Sequence, residues 1–278
     1  MMLGIDCFML GPDLWTVKSQ EAKSMPKFSA NLGFLWADMP LPDAIAAARR
    51  AGFHAVECHW PFGYAAETIS EALKKADLSM RAINTAVGKA DRGEFGLAAL
   101  PGRQDEARSA ITQAIEYASI IGARAVHVMA GKTSAQDARD VFLSNLAMAC
   151  QQAANHGIEV LIEPLNRVDV PGYFLASLEQ ARGIIQDLND PNLKLMFDCY
   201  HVGRTEGDVI ANLRNHLPLI GHIQVAAVPD RGAPDHGAVD YDAVFSEIDS
   251  LKWCRPVGAE YVPAGKTDST LGWLQNWV

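Results

Sequence analysis

From Phe28 onward, short apolar runs alternate with longer amphipathic stretches, and no Ser/Pro-rich linker breaks the series. Repeated βα units that build a parallel sheet produce this alternation. The runs predict strands at Phe28–Leu32, Ala55–His59, Met80–Asn84, Ala125–Met129, Glu159–Ile162, Lys194–Phe197, His222–Val225 and Gly258–Glu260, eight in all. Between them, Leu41, Ala44, Ile45 and Ala48 share one helical face, as do Ile111, Ile115 and Ala118, then Phe142, Leu146, Ala149 and Ala153. Tyr241, Val244, Phe245 and Ile248 repeat the spacing. Gly52, Gly122 and Gly157 fall where helices should stop, and Ser177 with Gln180 reads as a capping-box start. Eight such units in about 250 residues is the usual size of a TIM barrel. No Gly-x-Gly-x-x-Gly follows the first strand, which counts against the rival doubly wound sheet with a dinucleotide crevice. The predicted fold is α/β, a single-domain (β/α)8 TIM barrel over residues 25–278.

Residues 1–24 stand outside this pattern. They lack a basic leading region and are interrupted by Gly4, Asp6, Gly11, Pro12 and Asp13, so they read neither as a signal peptide nor as a membrane span. Met25 opens the first regular pattern, and residues 1–24 are read as an N-terminal extension, a remnant or the product of an upstream start codon.

The chain's 278 residues, 49% of them hydrophobic, can bury one large core. Its formal charge of -9, without any long basic run, argues against a nucleic-acid partner. Cys7, Cys58, Cys150, Cys199 and Cys254 stand singly with no CxxC pair, so neither a disulfide framework nor a zinc ribbon is suggested and a reducing cytoplasm is the expected setting.

An oxygen-bearing side chain sits at or just past the end of each of the last four predicted strands: Glu163, Asp198, Gln224 and Glu260. All strand C-termini of a parallel barrel open on one face, so these four should converge. Three carboxylates and one amide oxygen suit a hard cation such as Mg2+ or Mn2+, which would also relieve their mutual repulsion. Taken singly, each could be a solvated loop residue or a helix cap, but their recurrence in four consecutive units favours a site. His201 could point into the same cup from the turn after the sixth strand, or be a structural histidine. Arg231, on the loop after the seventh strand, could grip a substrate carboxylate or simply face solvent. His59, His127, Trp36 and Trp60 lie at other strand ends, where pocket lining and core packing are both open to them. His54, His156, His216 and His222 are assigned no role.

At these residues the chain resembles the hydroxypyruvate isomerase family, within the xylose-isomerase-like TIM barrels that include ketose 3-epimerases. The likeness spans essentially all of 25–278. Its pieces are Ala-Asn-Leu at 30–32, Ala-Gly-Phe-x-Ala-Val-Glu at 51–57, Ala-Ala-Leu-Pro-Gly-Arg at 98–103, Glu-Pro-Leu-Asn at 163–166 and Pro-Gly-Tyr-Phe-Leu at 171–175. Asp-x-Tyr-His at 198–201, His-Ile-Gln-Val-Ala at 222–226 and Glu-Tyr-x-Pro at 260–263 complete the set. The resemblance implies that Glu163, Asp198, Gln224 and Glu260 hold the metal, that Glu163 and Glu260 double as the acid/base pair, and that His201 and Arg231 bind substrate oxygens; His59 and Trp60 are read as substrate-binding from their places at the strand ends. Glutamine at 224 favours the hydroxypyruvate isomerase branch, since the ketose epimerases usually place histidine there. Ala233 and Ala238, where family members commonly carry glutamate, and Val262 in place of a common lysine leave the metal set intact and put the substrate in question.

The expected reaction is isomerisation of a small hydroxy-oxo acid through an enediolate, with hydroxypyruvate to 2-hydroxy-3-oxopropanoate as first candidate. A sugar or 2-oxo-tetronate isomerase, or a ketose epimerase, is the nearest alternative. An abasic-site endonuclease and a non-catalytic sugar-binding barrel are remoter ones. A small-molecule hydroxy-carbonyl partner is expected and no membrane; homo-oligomerisation is compatible with the sequence, but no surface pattern demands it.

Overall fold

A computed structural model describes residues 26–277. The extension expected at 1–24, and Met25 as its boundary, lie outside the described residues. Strands β1 (Phe28–Asn31), β2 (Ala55–Cys58), β3 (Ser79–Asn84), β4 (Ala125–His127), β5 (Glu159–Ile162), β6 (Leu193–Asp198), β7 (Ile220–Val225) and β8 (Val257–Ala259) form a closed barrel in sequence order. Every pair is parallel, and β8 returns to β1 through Phe28↔Val257, Ser29↔Gly258 and Ala30↔Ala259. All eight predicted strands are present. β1, β2, β4 and β8 stop before their predicted ends, so His59, Met129 and Glu260 lie beyond the ladder. β6 runs one residue further than expected, because Asp198 still pairs with Gln224.

The helices are α1 (Leu41–Arg50), α2 (Ala66–Ala76), α3 (Gln104–Ile121), α4 (Ala138–Ala154), α5 (Leu178–Leu188), α6 (Cys199–Thr205), α7 (Val209–His216) and α8 (Tyr241–Ser250). Each predicted helical face is the buried one. Ser177 caps α5 by accepting from the Gln180 backbone N–H at 3.2 Å, while the Gln180 side chain reaches back to the Ala176 N–H at 3.1 Å. The regular repeat breaks at the end. After β8 the described residues contain two short 3-10 turns, Thr267–Thr270 and Gly272–Asn276, and no α-helix. Trp273 from the second turn packs edge-on against Phe28 at 5.1 Å and so covers the outer face of β1. Among the described residues no helix is long and apolar enough to cross a membrane.

Side chains alternate along each strand. Val56, Ile83, Val126, Val160, Ile162, Phe197, Ile223 and Val225 face outward into the main core under the helices, each burial contributing roughly 1.5–3 kcal/mol. Facing the axis, Ala82, Ala125, Leu161 and Met196 form a separate apolar cluster. Ser29, Glu57 and His222 instead form a polar group inside the barrel. Gly258 also faces the axis: a Cβ there would lie 2.6 Å from Glu57 Oε1 and 2.9 Å from Gln224 Cγ. Gly258→Ala should therefore lower stability by about 1–3 kcal/mol through overpacking. Calorimetry checks this, and an unchanged melting temperature would mean that the barrel interior yields freely.

Candidate active site

The strands end on a ring of polar side chains, one from each unit: Asn31, His59, Asn84, His127, Glu163, Asp198, Gln224 and Glu260. His59, Asn84, His127, Glu163 and Glu260 line one cavity with His201 and Arg231, walled by Phe34, Trp60, Phe95, Met129, Leu165 and Val170; its volume is about 60 Å³. Such a space suits a small polar molecule.

Glu163 follows an apolar strand and precedes Pro164, which has no N–H to extend the ladder. Its Oε1 lies 3.8 Å from His201 Nε2 and its Oε2 3.6 Å from His127 Nδ1. Asp198 does two things at once. Its Oδ1 caps α6 by accepting from the Tyr200 N–H at 2.8 Å, while Oδ2 faces the site, 3.6 Å from His201 Nε2 and 3.9 Å from the Arg231 guanidinium. Gln224 Nε2 donates to Glu57 Oε1 at 2.9 Å, which leaves Oε1 directed away from Glu57. Glu163 Oε1, Asp198 Oδ2 and Gln224 Oε1 are all buried and none has a hydrogen-bond partner. Three orphaned oxygens on three neighbouring strands are what a hard oxygen-seeking cation would satisfy. Atoms of Glu163, Asp198 and His201 able to hold a metal all lie within 4.8 Å of one another.

Glu260 is arranged differently. Its Oε1 accepts from Asn31 Nδ2 at 2.8 Å and lies 3.0 Å from His59 Nε2, and its Oε2 accepts from Arg231 at 2.7 Å. The Arg231 guanidinium lies between the Phe34 and Tyr200 rings, 4.9 and 5.1 Å from their centroids, and supplies the positive charge nearest these carboxylates. The geometry thus draws Glu163, Asp198 and His201 together and turns Glu260 toward Arg231.

His201 is nevertheless a poor ligand. Its Nδ1 accepts from the Asn166 backbone N–H at 3.1 Å and faces Asn166 Nδ2 at 2.7 Å. The Asn166 amide is itself fixed, because its Oδ1 accepts from the Val168 and Asp169 N–H groups at 3.1 and 2.9 Å. Two donors on Nδ1 put the imidazole proton on Nε2, so His201 presents an N–H to the site and can donate to a substrate oxygen.

Burial, then the charges of Glu260 and Asp198, raise the Glu163 pKa well above the ordinary carboxylate range. Burial, then Glu260, pushes Asp198 up to about 7. For Glu260 burial acts in the same sense but is outweighed by Arg231 and by His59, which hold it at about 2. Burial lowers His127 to about 4; burial and then Arg231 lower His201 to about 3. At neutral pH both histidines are uncharged.

Trp60 lines the cavity and donates from Nε1 to the Thr85 carbonyl at 3.0 Å. Trp36 does not: it is buried against Phe53, with its Nε1 donating to Asp268 at 3.3 Å. His222, which sequence reasoning left without a role, bonds Glu57 inside the barrel. Asn31, Glu57, Asn84 and Asn166 were missed as well. The available signal was parity: Ser29 with Asn31, and His222 with Gln224, put polar groups on the inward face of otherwise apolar strands.

The sequence pattern of the xylose isomerase-like TIM barrel family matches residues 45–277. The 2-oxo-tetronate isomerase of Cupriavidus necator (strain H16) is 42% identical over 258 residues, covering 91% of this chain and 99% of that protein. The hydroxypyruvate isomerase of Escherichia coli (strain K12) is 34% identical, covering 90% of this chain and 98% of that protein. The crystal structure of an AP endonuclease, family 2, from Brucella melitensis superposes with a TM-score of 0.88 at 36% identity, covering 91% and 99% of the two chains. Barrel closure and these likenesses agree: the chain belongs to the xylose isomerase-like TIM barrels, within the group of isomerases whose members are named hydroxypyruvate isomerase and 2-oxo-tetronate isomerase.

Proposed function

We propose that the protein isomerises a hydroxy-oxo acid of three or four carbons, with Mg2+ or Mn2+ held by Glu163, Asp198, Gln224 and Glu260. The observation that carries this reading is the trio of buried, unpartnered oxygens on Glu163, Asp198 and Gln224 beside the Glu260 carboxylate. Hydroxypyruvate is the first substrate candidate. A four-carbon 2-oxo-tetronate is the second, favoured by the higher identity to the C. necator isomerase, 42% against 34%. When bound, the cation supplies Lewis-acid polarisation of the carbonyl and the neighbouring hydroxyl.

The chain's own groups do the rest. Glu163 and Glu260 exchange the carbon-bound proton, one taking it from the hydroxyl-bearing carbon and the other returning a proton to the former carbonyl carbon, while the hydroxyl proton passes to the former carbonyl oxygen. Arg231 and the His201 Nε2–H hold substrate oxygens, while His59 and Trp60 line the pocket and Phe34 and Phe95 limit entry of water. A carboxylate held as low as Glu260 is a weak base. An Arg231 that turns from Glu260 to a substrate oxygen would raise its basicity at the moment of binding. A small-molecule partner rather than nucleic acid is in keeping with the formal charge of -9, which does not favour a phosphate backbone. The free Cys58, Cys150, Cys199 and Cys254 fit a reducing cytoplasm.

Incubation with hydroxypyruvate or 2-oxo-tetronate in deuterated water with Mn2+ tests the reading. The expected product has its carbonyl moved by one carbon and carries deuterium at the former carbonyl carbon, and a chelator abolishes its formation. Turnover indifferent to chelation, a product that keeps its carbonyl in place, or nicking of abasic DNA in place of isomerisation would overturn it.

A further inference from the structure

Below the proposed cation donors lies a carboxylate that the reaction does not use. Glu57 is 1% exposed, on the inward face of β2. Its Oε1 accepts from Asn31 Nδ2 at 3.2 Å and from Gln224 Nε2 at 2.9 Å, and its Oε2 accepts from Ser29 Oγ at 3.4 Å and meets His222 Nε2. We propose that Glu57 is a positioning residue: as an acceptor it fixes which end of the Gln224 amide faces the cation site and, through Asn31, where Glu260 stands. This inference rests on the reading of Gln224 as a cation donor.

The argument is one of hydrogen-bond polarity. The Asn31 amide is anchored independently, because its Oδ1 accepts from the Gly33 N–H at 2.9 Å; its Nδ2 must then point at Glu57 Oε1 and, at 2.8 Å, at Glu260 Oε1. A carboxylate oxygen accepts only. A Gln224 amide turned the other way would set its Oε1 against Glu57 Oε1 at the same 2.9 Å, two acceptors with no proton between them in a buried site. It would also aim an NH2 group at a cation. Glu57 excludes that state, so Gln224 Oε1 is left buried, unpartnered and turned away from it. The absence of a side chain at Gly258 serves the same contact, since a Cβ there would strike both Glu57 Oε1 and Gln224 Cγ.

Polarity can be tested by the sign of a second substitution. Gln224→Glu adds a negative charge to a cation site and by itself should tighten binding, but beside Glu57 it opposes two acceptors. Titration of the metal-free proteins with Mn2+ alone, followed by electron paramagnetic resonance or calorimetry, should find that Gln224→Glu leaves Mn2+ affinity unchanged or weaker in the Glu57 protein. In the Glu57→Gln protein, where residue 57 can donate, the same substitution should tighten it by at least about tenfold, a coupling in the range of contacting residues. A factor that is equal in both backgrounds overturns the proposal. Should the Glu57→Gln proteins fail to fold by circular dichroism, Glu57→Asp decides. It keeps the charge but draws the acceptor back by one methylene, and its Mn2+ affinity should fall about 10–100-fold, as when other supporting groups around a metal are removed. Unchanged affinity in the Glu57→Asp protein also overturns it. Gln224→Ala separates the two failures: wild-type Mn2+ affinity in that variant would remove Gln224 from the donor set, and the inference with it, whatever residue 57 does.

Discussion

Glu163→Gln and Glu260→Gln should each lower turnover by about 10²–10⁴-fold, the range that a positioned proton-transfer group supplies, yet move stability in opposite directions. Glu163 is buried among like charges that push its pKa up, so a neutral amide of the same shape relieves repulsion, and the metal-free variant should melt at or above the wild-type temperature. Glu260 is the carboxylate that answers Arg231 at 2.7 Å. Its neutralisation leaves a largely buried guanidinium with only Asp198, at 3.9 Å, to face, and should cost on the order of a few kcal/mol. Steady-state kinetics with thermal unfolding of the metal-free proteins separate these effects. Wild-type turnover in both variants would remove the pair from the chemistry; equal shifts in melting temperature would mean that Arg231 does not depend on Glu260.

That asymmetry could not be read from the sequence. The barrel was legible because each unit repeats the same local physics: an apolar run, a helical face such as Tyr241, Val244, Phe245 and Ile248, and a stop such as Gly122. The convergence of Glu163, Asp198, Gln224 and Glu260 then followed from the rule that parallel strands end on one face. Which partner each side chain chooses did not follow. The choice of Glu260 for Arg231 depends on a loop 29 residues away in sequence, and the Glu57 contact to Gln224 spans 167. After the last strand the described residues hold 3-10 turns in place of an α-helix, and Trp273 from the second of them shares the covering of Phe28 with Phe245 of α8. Trp36 and Trp60 looked alike as aromatics just past a strand. Only the distance to Phe53 and Asp268 for one, and the cavity for the other, tells them apart.

Mn2+ affinity should rise by at least about tenfold between pH 5.5 and pH 8, because a cation can enter only as protons leave Glu163 and Asp198. The sign follows from the direction of each shift. Asp198 is raised from 3.8 to about 7 and Glu163 is raised well above 4.5, so the folded metal-free protein keeps protons that the unfolded chain has lost, and these two groups weaken the fold as pH climbs from about 4. His127 and His201, lowered to about 4 and about 3, act oppositely: the unfolded chain takes up their protons below 6.5, so they add stability as pH rises to that point and nothing beyond it. Glu260, held at about 2, contributes stability that is complete above 4.5 and is lost as pH falls toward 2. Above pH 6.5 no lowered histidine opposes the raised carboxylates, and His236, raised by its bonds to Asp230 and Asp235, acts in the same sense as they do. The metal-free protein should therefore hold its stability between about pH 4.5 and 6.5, where the two pairs offset, and lose stability toward pH 8, where saturating Mn2+ should restore it through preferential binding to the folded state. Calorimetric titration at the two pH values, in buffers of different ionisation enthalpy, reads both the affinity and the protons released. An affinity that does not change with pH, or binding without proton release at pH 5.5, would mean that the cation is not held by these two carboxylates.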